Sequence, residues 1–374
     1  MQLGGVLKDK GYDVTYLTFY ETEQKCDYRG KHICFGYEEE KNALSDAFEI
    51  IHTSKKIKDI CTENNIDILI SFLTRMNVQS ILSKSLFRNK VKILVSVRNN
   101  PIKRNKTSHQ KLIKMLYPKA DKVVAQTRGI ENILNEKFST NNTTVIPNMA
   151  DLTDFKRLAK KDVSKEHEVI FDNDFTFITI GSLTEQKAQW YLVRCFKRLT
   201  RIEQDSTLII LGKGPLERKL KDLVKEMKIE DKILFLGEVK NVFPYLRRAD
   251  CFVLTSLYEG FPNVLIEAIS QDLPTISTDC ISGPREILCP GLTSDEEIEY
   301  PFFGKFGILT KPFRDSVLFK TLKQKSLSEE ETILFKLMKD LKDNEKYRKP
   351  YSSASRRVKD FDRDKIVEQW EELF

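Results

Sequence analysis

The chain has 374 residues, 40% of them hydrophobic and 31% charged, with a formal net charge of +7. That length is long for one core and fits two domains of ordinary size, and the composition is that of a soluble globular protein, neither disordered nor fibrous. No uncharged apolar run reaches about 18 residues and the start lacks a basic-then-apolar leader, so neither a transmembrane helix nor a secretory signal is expected.

The chain opens inside a helix, with Leu3, Val6, Leu7 and Tyr12 on its apolar stripe and Gly11 after its end. Strand candidates follow at 14–18, 68–72, 93–97, 122–125 and 144–146, separated by helix-length segments. Such alternation predicts βαβ units and a parallel sheet. A doubly wound domain normally begins with a strand and a glycine-rich turn before its first helix. The first domain, 1–155, is therefore expected to lack its opening strand, and Met1 reads either as an internal methionine of a longer protein or as a misassigned start.

Residues 156–174 are charged and without apolar periodicity, which predicts a linker. The rhythm then restarts with a strand at 175–180, a helix at 189–200, and a strand at 207–211 that ends in Gly212-Lys213-Gly214-Pro215 before a helix through Met227. Strands at 233–236, 251–254 and 274–277 complete a second parallel sheet in a domain spanning 175–355. The tail, 356–374, ends in a short amphipathic helix expected to pack back toward the first domain. The predicted fold class is α/β: two doubly wound, Rossmann-like parallel-sheet domains facing a cleft, with ligands beyond the strands' carboxyl ends.

The basic excess is uneven. Lys103, Arg104, Lys106, Lys111, Lys114, Lys119 and Lys122 crowd the stretch from Pro101 to Val124 against the acid Asp121, with Leu112, Ile113, Leu116 and Tyr117 interleaved at helical spacing. Two readings stay open: a solvated helix with one core-facing stripe, or an amphipathic basic surface resting on anionic lipid headgroups. Nucleic acid is not expected, because no recognised binding motif accompanies the charge. The seven cysteines (Cys26, Cys34, Cys61, Cys195, Cys251, Cys280, Cys289) are scattered, odd in number and never C-x-x-C. That pattern predicts neither zinc nor disulfides, and a reducing cytosol. His32, His52, His109 and His167 form no ligand spacing and read as surface residues.

The most informative stretch is Glu259-Gly260-Phe261-Pro262-Asn263-Val264-Leu265-Ile266-Glu267. One carboxylate sits in a tight loop after a strand; the second follows inside a helix. Between them lie the free N–H groups of a helix start, where the dipole favours an anion. Two carboxylates for hydroxyls and a helix start for an anion suit a ligand that is both sugar and phosphate.

Further pieces stand around this pair: Ile146-Pro147-Asn148, Gly181-Ser182-Leu183-Thr184-Glu185-Gln186-Lys187, Gly212-Lys213-Gly214-Pro215, Phe235-Leu236-Gly237 and Ser282-Gly283-Pro284-Arg285-Glu286. In this order they resemble the family 4 (group 1) glycosyltransferases, which have the two-domain GT-B fold. The resemblance runs from Gly11 almost to the C-terminus. It implies a metal-independent enzyme, with no cofactor, that moves a sugar from a nucleotide sugar to an acceptor with retention of anomeric configuration. The donor expected is a UDP-linked hexose or N-acetylhexosamine. The acceptor expected is a lipid-linked or cell-surface glycan precursor, met at the inner face of the membrane by a cytoplasmic, peripheral enzyme of polysaccharide or cell-envelope biosynthesis.

Carried over by the resemblance, Glu259 and Lys187 are the catalytic candidates, the first toward the donor sugar's hydroxyls and the second toward the diphosphate. Gly181, Ser182, Gly212, Gly260, Phe261, Asn263, Val264 and Glu267 are the donor-binding candidates, with Glu267 toward the ribose. The family commonly has Arg where Ser182 stands, and many members have His in the segment that here reads Val97-Arg98-Asn99-Asn100-Pro101, so no His role is assigned. Those departures, with the missing opening strand, leave a non-catalytic nucleotide-sugar-binding partner subunit as the alternative. Asp172-Asn173-Asp174 imitates the D-x-D metal motif of another glycosyltransferase fold but precedes a strand, so no metal is assigned. Arg285 and Glu286 are open between donor contact, domain closure and capping.

Overall fold

The apolar runs of the first half build two parallel sheets rather than one. The computed structural model of the chain describes residues 2–20, 28–36, 47–172, 174–202, 205–280, 282–313 and 326–374; Cys26 and the central Asn173 of the acidic triplet lie outside them. Strands β1 (Thr15–Thr18) and β2 (Lys31–Cys34) pair with each other. Strands β3 (Ile68–Phe72), β4 (Lys92–Val97), β5 (Lys122–Ala125) and β6 (Thr143–Val145) form a second sheet in sequential order. Among the described residues no strand joins β1 to β3, so the single sheet expected for this half is divided.

Strand alternation explains how the four-stranded sheet is covered. Ile93, Val95, Val97, Val123 and Ala125 enter one core with Ile57, Val78, Ile81, Ile113 and Ile130 from the surrounding helices. Leu94 and Val124, pointing the other way, pack with Leu3, Val6 and Leu7 and with Ile366, Val367 and Trp370. Period-two side chains on a sheet buried on both faces need this two-sided apolar cover. The C-terminal helix Arg363–Glu371 thus lies on the first-half sheet. It arrives through a crossing at which the Ala150 N–H donates to the Phe361 carbonyl at 2.8 Å and the Arg363 N–H to the Ala150 carbonyl at 3.1 Å.

The second half carries one larger sheet. Its strands are β7 (Phe175–Ile180), β8 (Ser206–Leu211), β9 (Ile233–Gly237), β10 (Cys251–Leu254), β11 (Thr275–Thr278), β12 (Phe302–Phe303) and β13 (Ile308–Thr310), in the order β12-β13-β11-β10-β7-β8-β9. All pairs are parallel except β12 with β13. Strands β7, β8 and β10 are buried along their whole length, which their unbroken apolar runs require. Residues 156–174 are not the featureless linker expected. Helix Leu152–Ala159 and the 3-10 turn Lys165–Asp172 fall there, and Ala159, Val163 and Ile170 join the second core.

Candidate active site

The loops after β7, β8 and β10 meet at the carboxyl edge of the larger sheet. Gly212 is there because nothing larger fits: a Cβ on it would lie 2.1 Å from the Gly181 carbonyl oxygen. The Gly212 N–H donates at 2.7 Å to the carbonyl of Gly237, at the end of β9, and the Leu183 N–H donates to the Lys213 carbonyl at 2.9 Å, which sews the two glycine loops together. The stem of Lys187 runs over Gly181, whose added Cβ would meet it at 3.3 Å.

That path delivers the Lys187 ammonium to the acidic segment. Its Nζ lies 2.6 Å from Glu259 Oε1, and the two side chains are only 15% and 6% exposed. Glu259 also accepts from Ser256 Oγ at 2.6 Å and from Gln186 Nε2 at 3.4 Å. Gln186 and Lys187 are pinned in turn by the Leu257 N–H to the Gln186 carbonyl at 2.8 Å and by Thr255 Oγ1 to the Lys187 carbonyl at 3.0 Å. Lys187 and Glu259 therefore satisfy each other. Glu267, half-buried on helix Asn263–Ile269, completes the group. Burial pushes its carboxyl up to about 7 while Lys187 pulls the other way. Lys187 is thus bonded to Glu259 and acts on Glu267 through its charge.

Among the described residues, the N–H groups of Asn263 and Val264 begin that helix without an intramolecular acceptor. Phe261 offers only its backbone, since its ring is buried edge-on against Phe361 at 5.1 Å. Ser182 is exposed on the cleft wall, its carbonyl accepting from Gln189 at 3.1 Å.

The first half closes over this edge through close backbone contacts. A Cβ on Gly260 would lie 2.4 Å from the Arg98 carbonyl oxygen, and one on Gly129 would lie 3.0 Å from Ser282 Cα. Asn148 Nδ2 donates to Asn263 Oδ1 at 2.6 Å. Glu286 reaches across and accepts from the N–H groups of Arg128 and Gly129, both at 3.0 Å, at the start of helix Arg128–Phe138. Of the roles left open for it, Glu286 bridges the halves by capping. Arg285 turns inward instead, pairing with Asp279 (Nε to Oδ1 3.1 Å) and donating to the Thr293 carbonyl at 2.8 Å. Between the halves lies a cleft of about 650 Å³ lined by Thr74, Arg98, Arg104, Ser182, Gln186 and Tyr258, among others.

Sequence reasoning passed over Gln126. It is 2% exposed, directly follows β5, and contacts both Asn148 and Arg98. Its place at a strand's carboxyl end was the available signal. His167 is not a plain surface residue, because its Nδ1 lies 2.8 Å from the Tyr245 hydroxyl. Cys34, Cys61, Cys195, Cys251, Cys280 and Cys289 are free thiols. Among the described residues no group of three or more His, Cys, Asp or Glu is placed to hold a metal ion.

Residues 160–294, which carry both glycine loops and both glutamates, match the family model for glycosyl transferases group 1. An uncharacterized glycosyltransferase of Methanocaldococcus jannaschii is 40% identical, over 98% of this chain and 93% of that one. The chain belongs to the group 1 glycosyltransferases. As a group 1 glycosyltransferase it is an enzyme that transfers a sugar. A second relative is the N-acetylgalactosamine-N,N'-diacetylbacillosaminyl-diphospho-undecaprenol 4-alpha-N-acetylgalactosaminyltransferase of Campylobacter jejuni, 29% identical over 87% of this chain and 81% of that one. The crystal structure of Anabaena HepE in complex with UDP superposes with a TM-score of 0.68 at 17% identity, over 91% of this chain and 85% of that chain. The fold of this group 1 glycosyltransferase is GT-B, with two Rossmann-like halves.

Proposed function

We propose that the enzyme transfers a hexose or N-acetylhexosamine from a UDP-sugar to a lipid-linked or cell-surface glycan precursor, with retention of configuration. The observation that carries this reading is the convergence of Lys187, Glu259 and Glu267 beside the unpaired helix start, next in sequence to Gln186 and Tyr258, which line the interdomain cleft. In this reading Glu259 accepts from the donor sugar's hydroxyls and Glu267 from the ribose. Lys187, with the amides of Gly260, Phe261, Asn263 and Val264, faces the diphosphate, and Gly181, Ser182 and Gly212 shape the loop beside it.

Negative charge grows on the diphosphate as the bond from sugar C1 to the β-phosphate oxygen breaks. A cation and fixed N–H donors there stabilise the transition state more than the ground state. The acceptor oxygen bonds to C1 on the same face, and its proton passes to the departing phosphate oxygen. No side chain is assigned as a covalent nucleophile, and no step is assigned to a metal ion.

UDP as the carrier is supported by the HepE complex, and a diphospholipid acceptor by the Campylobacter relative's name. The alternative of a non-catalytic partner subunit loses support, since the relatives are named as transferases. No described helix is long and apolar enough to cross a membrane. Contact with anionic lipid is read from helices Pro101–Arg104 and Thr107–Leu116, which bury Ile113 and Leu116 and expose Ile102, Lys103, Arg104, Lys106, Lys111, Lys114 and Met115. Leu73, 66% exposed, stands at the same cleft mouth. A thermal-shift panel of UDP-, GDP- and ADP-sugars tests the donor: the UDP-sugars are expected to raise Tm at concentrations where the others do not. Stabilisation by GDP- or ADP-sugars alone would replace the assigned carrier.

A further inference from the structure

Arg98 is the feature of the cleft that nothing above uses. It follows β4, at the carboxyl edge of the first-half sheet, and lines the cleft opposite Ser182, Gln186 and Tyr258. Its guanidinium lies 5.4 Å from the Phe72 ring centroid. With the Gln126 amide oriented to satisfy both its ends, the nitrogen donates to the Arg98 carbonyl at 2.7 Å and the oxygen accepts from Arg98 Nη1 at 3.2 Å. Among the described residues no carboxylate pairs with Arg98. Burial, with nothing opposing it, pulls the guanidinium down to about 10.

A guanidinium withdrawn from water with only a neutral amide and a ring for company is costly, and an incoming anion would relieve that cost. Arginine's planar fork of donors matches phosphate oxygens. The backbone of Arg98 is held against Gly260, between Glu259 and the start of helix Asn263–Ile269. In the same orientation the Gln126 oxygen accepts from Asn148 Nδ2 at 3.0 Å, the nitrogen that also donates to Asn263. The chain of contacts from Arg98 therefore ends where the diphosphate is placed.

We propose that Arg98 is a phosphate-binding residue of the cleft, reaching the donor diphosphate from the first half and supplying the cation that Ser182 does not. The assignment rests on the nucleotide-sugar reading above. It also makes the anion site complete only when the two halves are closed.

The test compares wild type, Arg98→Gln and Arg98→Lys by calorimetry with UDP, UMP and, as a phosphate-bearing lipid, farnesyl phosphate in detergent. Arg98→Gln should weaken UDP binding about 10- to 100-fold, as expected on losing a charge-assisted hydrogen bond. UMP, lacking the second phosphate, should change less than about threefold, and Arg98→Lys should recover part of the loss. A loss confined to farnesyl phosphate overturns the assignment to the donor diphosphate and gives the site to the acceptor instead. Because the variant removes an uncompensated cation, the Tm of unliganded Arg98→Gln should not fall. A lower Tm with unchanged affinities for all three ligands means a structural arginine and overturns the proposal. Wild type and Arg98→Gln binding UDP and farnesyl phosphate equally well also overturns it while leaving the nucleotide-sugar reading intact; a wild type that binds no UDP overturns both.

Discussion

Replacing Glu286 with Ala tests whether the closed arrangement of the two halves is held by specific bonds. Its carboxylate accepts from two N–H groups of the other half, each at 3.0 Å, at the start of an eleven-residue helix. Hydrogen bonds to a charged group contribute about 1.5–3 kcal/mol, and a negative charge at a helix start a further 0.3–1 kcal/mol or so. Glu286 is half-buried, so solvent screening places the total near the lower end, at about 2 kcal/mol. A loss of that size shifts the ratio of open to closed molecules roughly 30-fold. The neighbouring contacts, Asn148 to Asn263 at 2.6 Å and Asn132 to Ser294 at 3.0 Å, remain and set what closure is left. Small-angle scattering should show a larger radius of gyration for unliganded Glu286→Ala, and excess UDP-sugar should bring it back toward the wild-type value. Turnover should fall while the Tm of the isolated halves is unaffected. A scattering profile and rate identical to wild type would refute the argument that this carboxylate latches the cleft.

The Glu267 carboxyl, raised to about 7 by burial, makes two opposite pH dependences expected. Its folded value lies above the unfolded one, so its stabilising contribution is complete below about 4.5 and is lost as pH rises through about 7. The Tm of the unliganded enzyme should carry a component that declines over that range and is absent in Glu267→Gln, whereas UDP affinity should increase as the carboxylate forms and can accept ribose hydroxyls. Lys187→Met leaves the enclosed Glu259 carboxylate without its cation and should cost about 3–5 kcal/mol of stability; adding Glu259→Gln should recover part of it, and additive losses in unfolding titrations would deny the coupling. Replacing Lys106, Lys111 and Lys114 with Gln should weaken sedimentation with anionic vesicles, more clearly at low salt; equal binding would return the segment to a solvated face.

Much of the scaffold was legible in the sequence. Strands β3, β5, β7 and β10 and helix Gln189–Thr200 fall where their apolar runs predict, because each is a run of apolar residues buried on the face its period requires. Strands β2, β12 and β13 escaped notice, β2 because half of it is Lys31 and His32, β12 and β13 because two or three residues are too few to show a strand period. The 156–174 stretch reads as a charged linker, because its few contacts with the second core, through Ala159, Val163 and Ile170, are too widely spaced to show a period. That Lys187 and Glu259 belong to one neighbourhood was implied by the family resemblance; their direct ion pair was not read from the sequence. The reach of Glu286 to Arg128 and Gly129, and the seating of Arg98 beside Gln126, were not legible either. Each joins residues from elements far apart in sequence, and depends on how the halves close rather than on any local pattern.

The central claim is that Glu259 holds the sugar of a bound UDP-sugar while other groups hold its diphosphate. Its most direct test is the rate of sugar transfer from a turned-over UDP-sugar by Glu259→Gln, set beside its affinity for UDP. The account predicts a folded protein that binds UDP within about threefold of wild type yet transfers at least about 100-fold more slowly, the loss of a contact strengthened in the transition state. Transfer at the wild-type rate would contradict it.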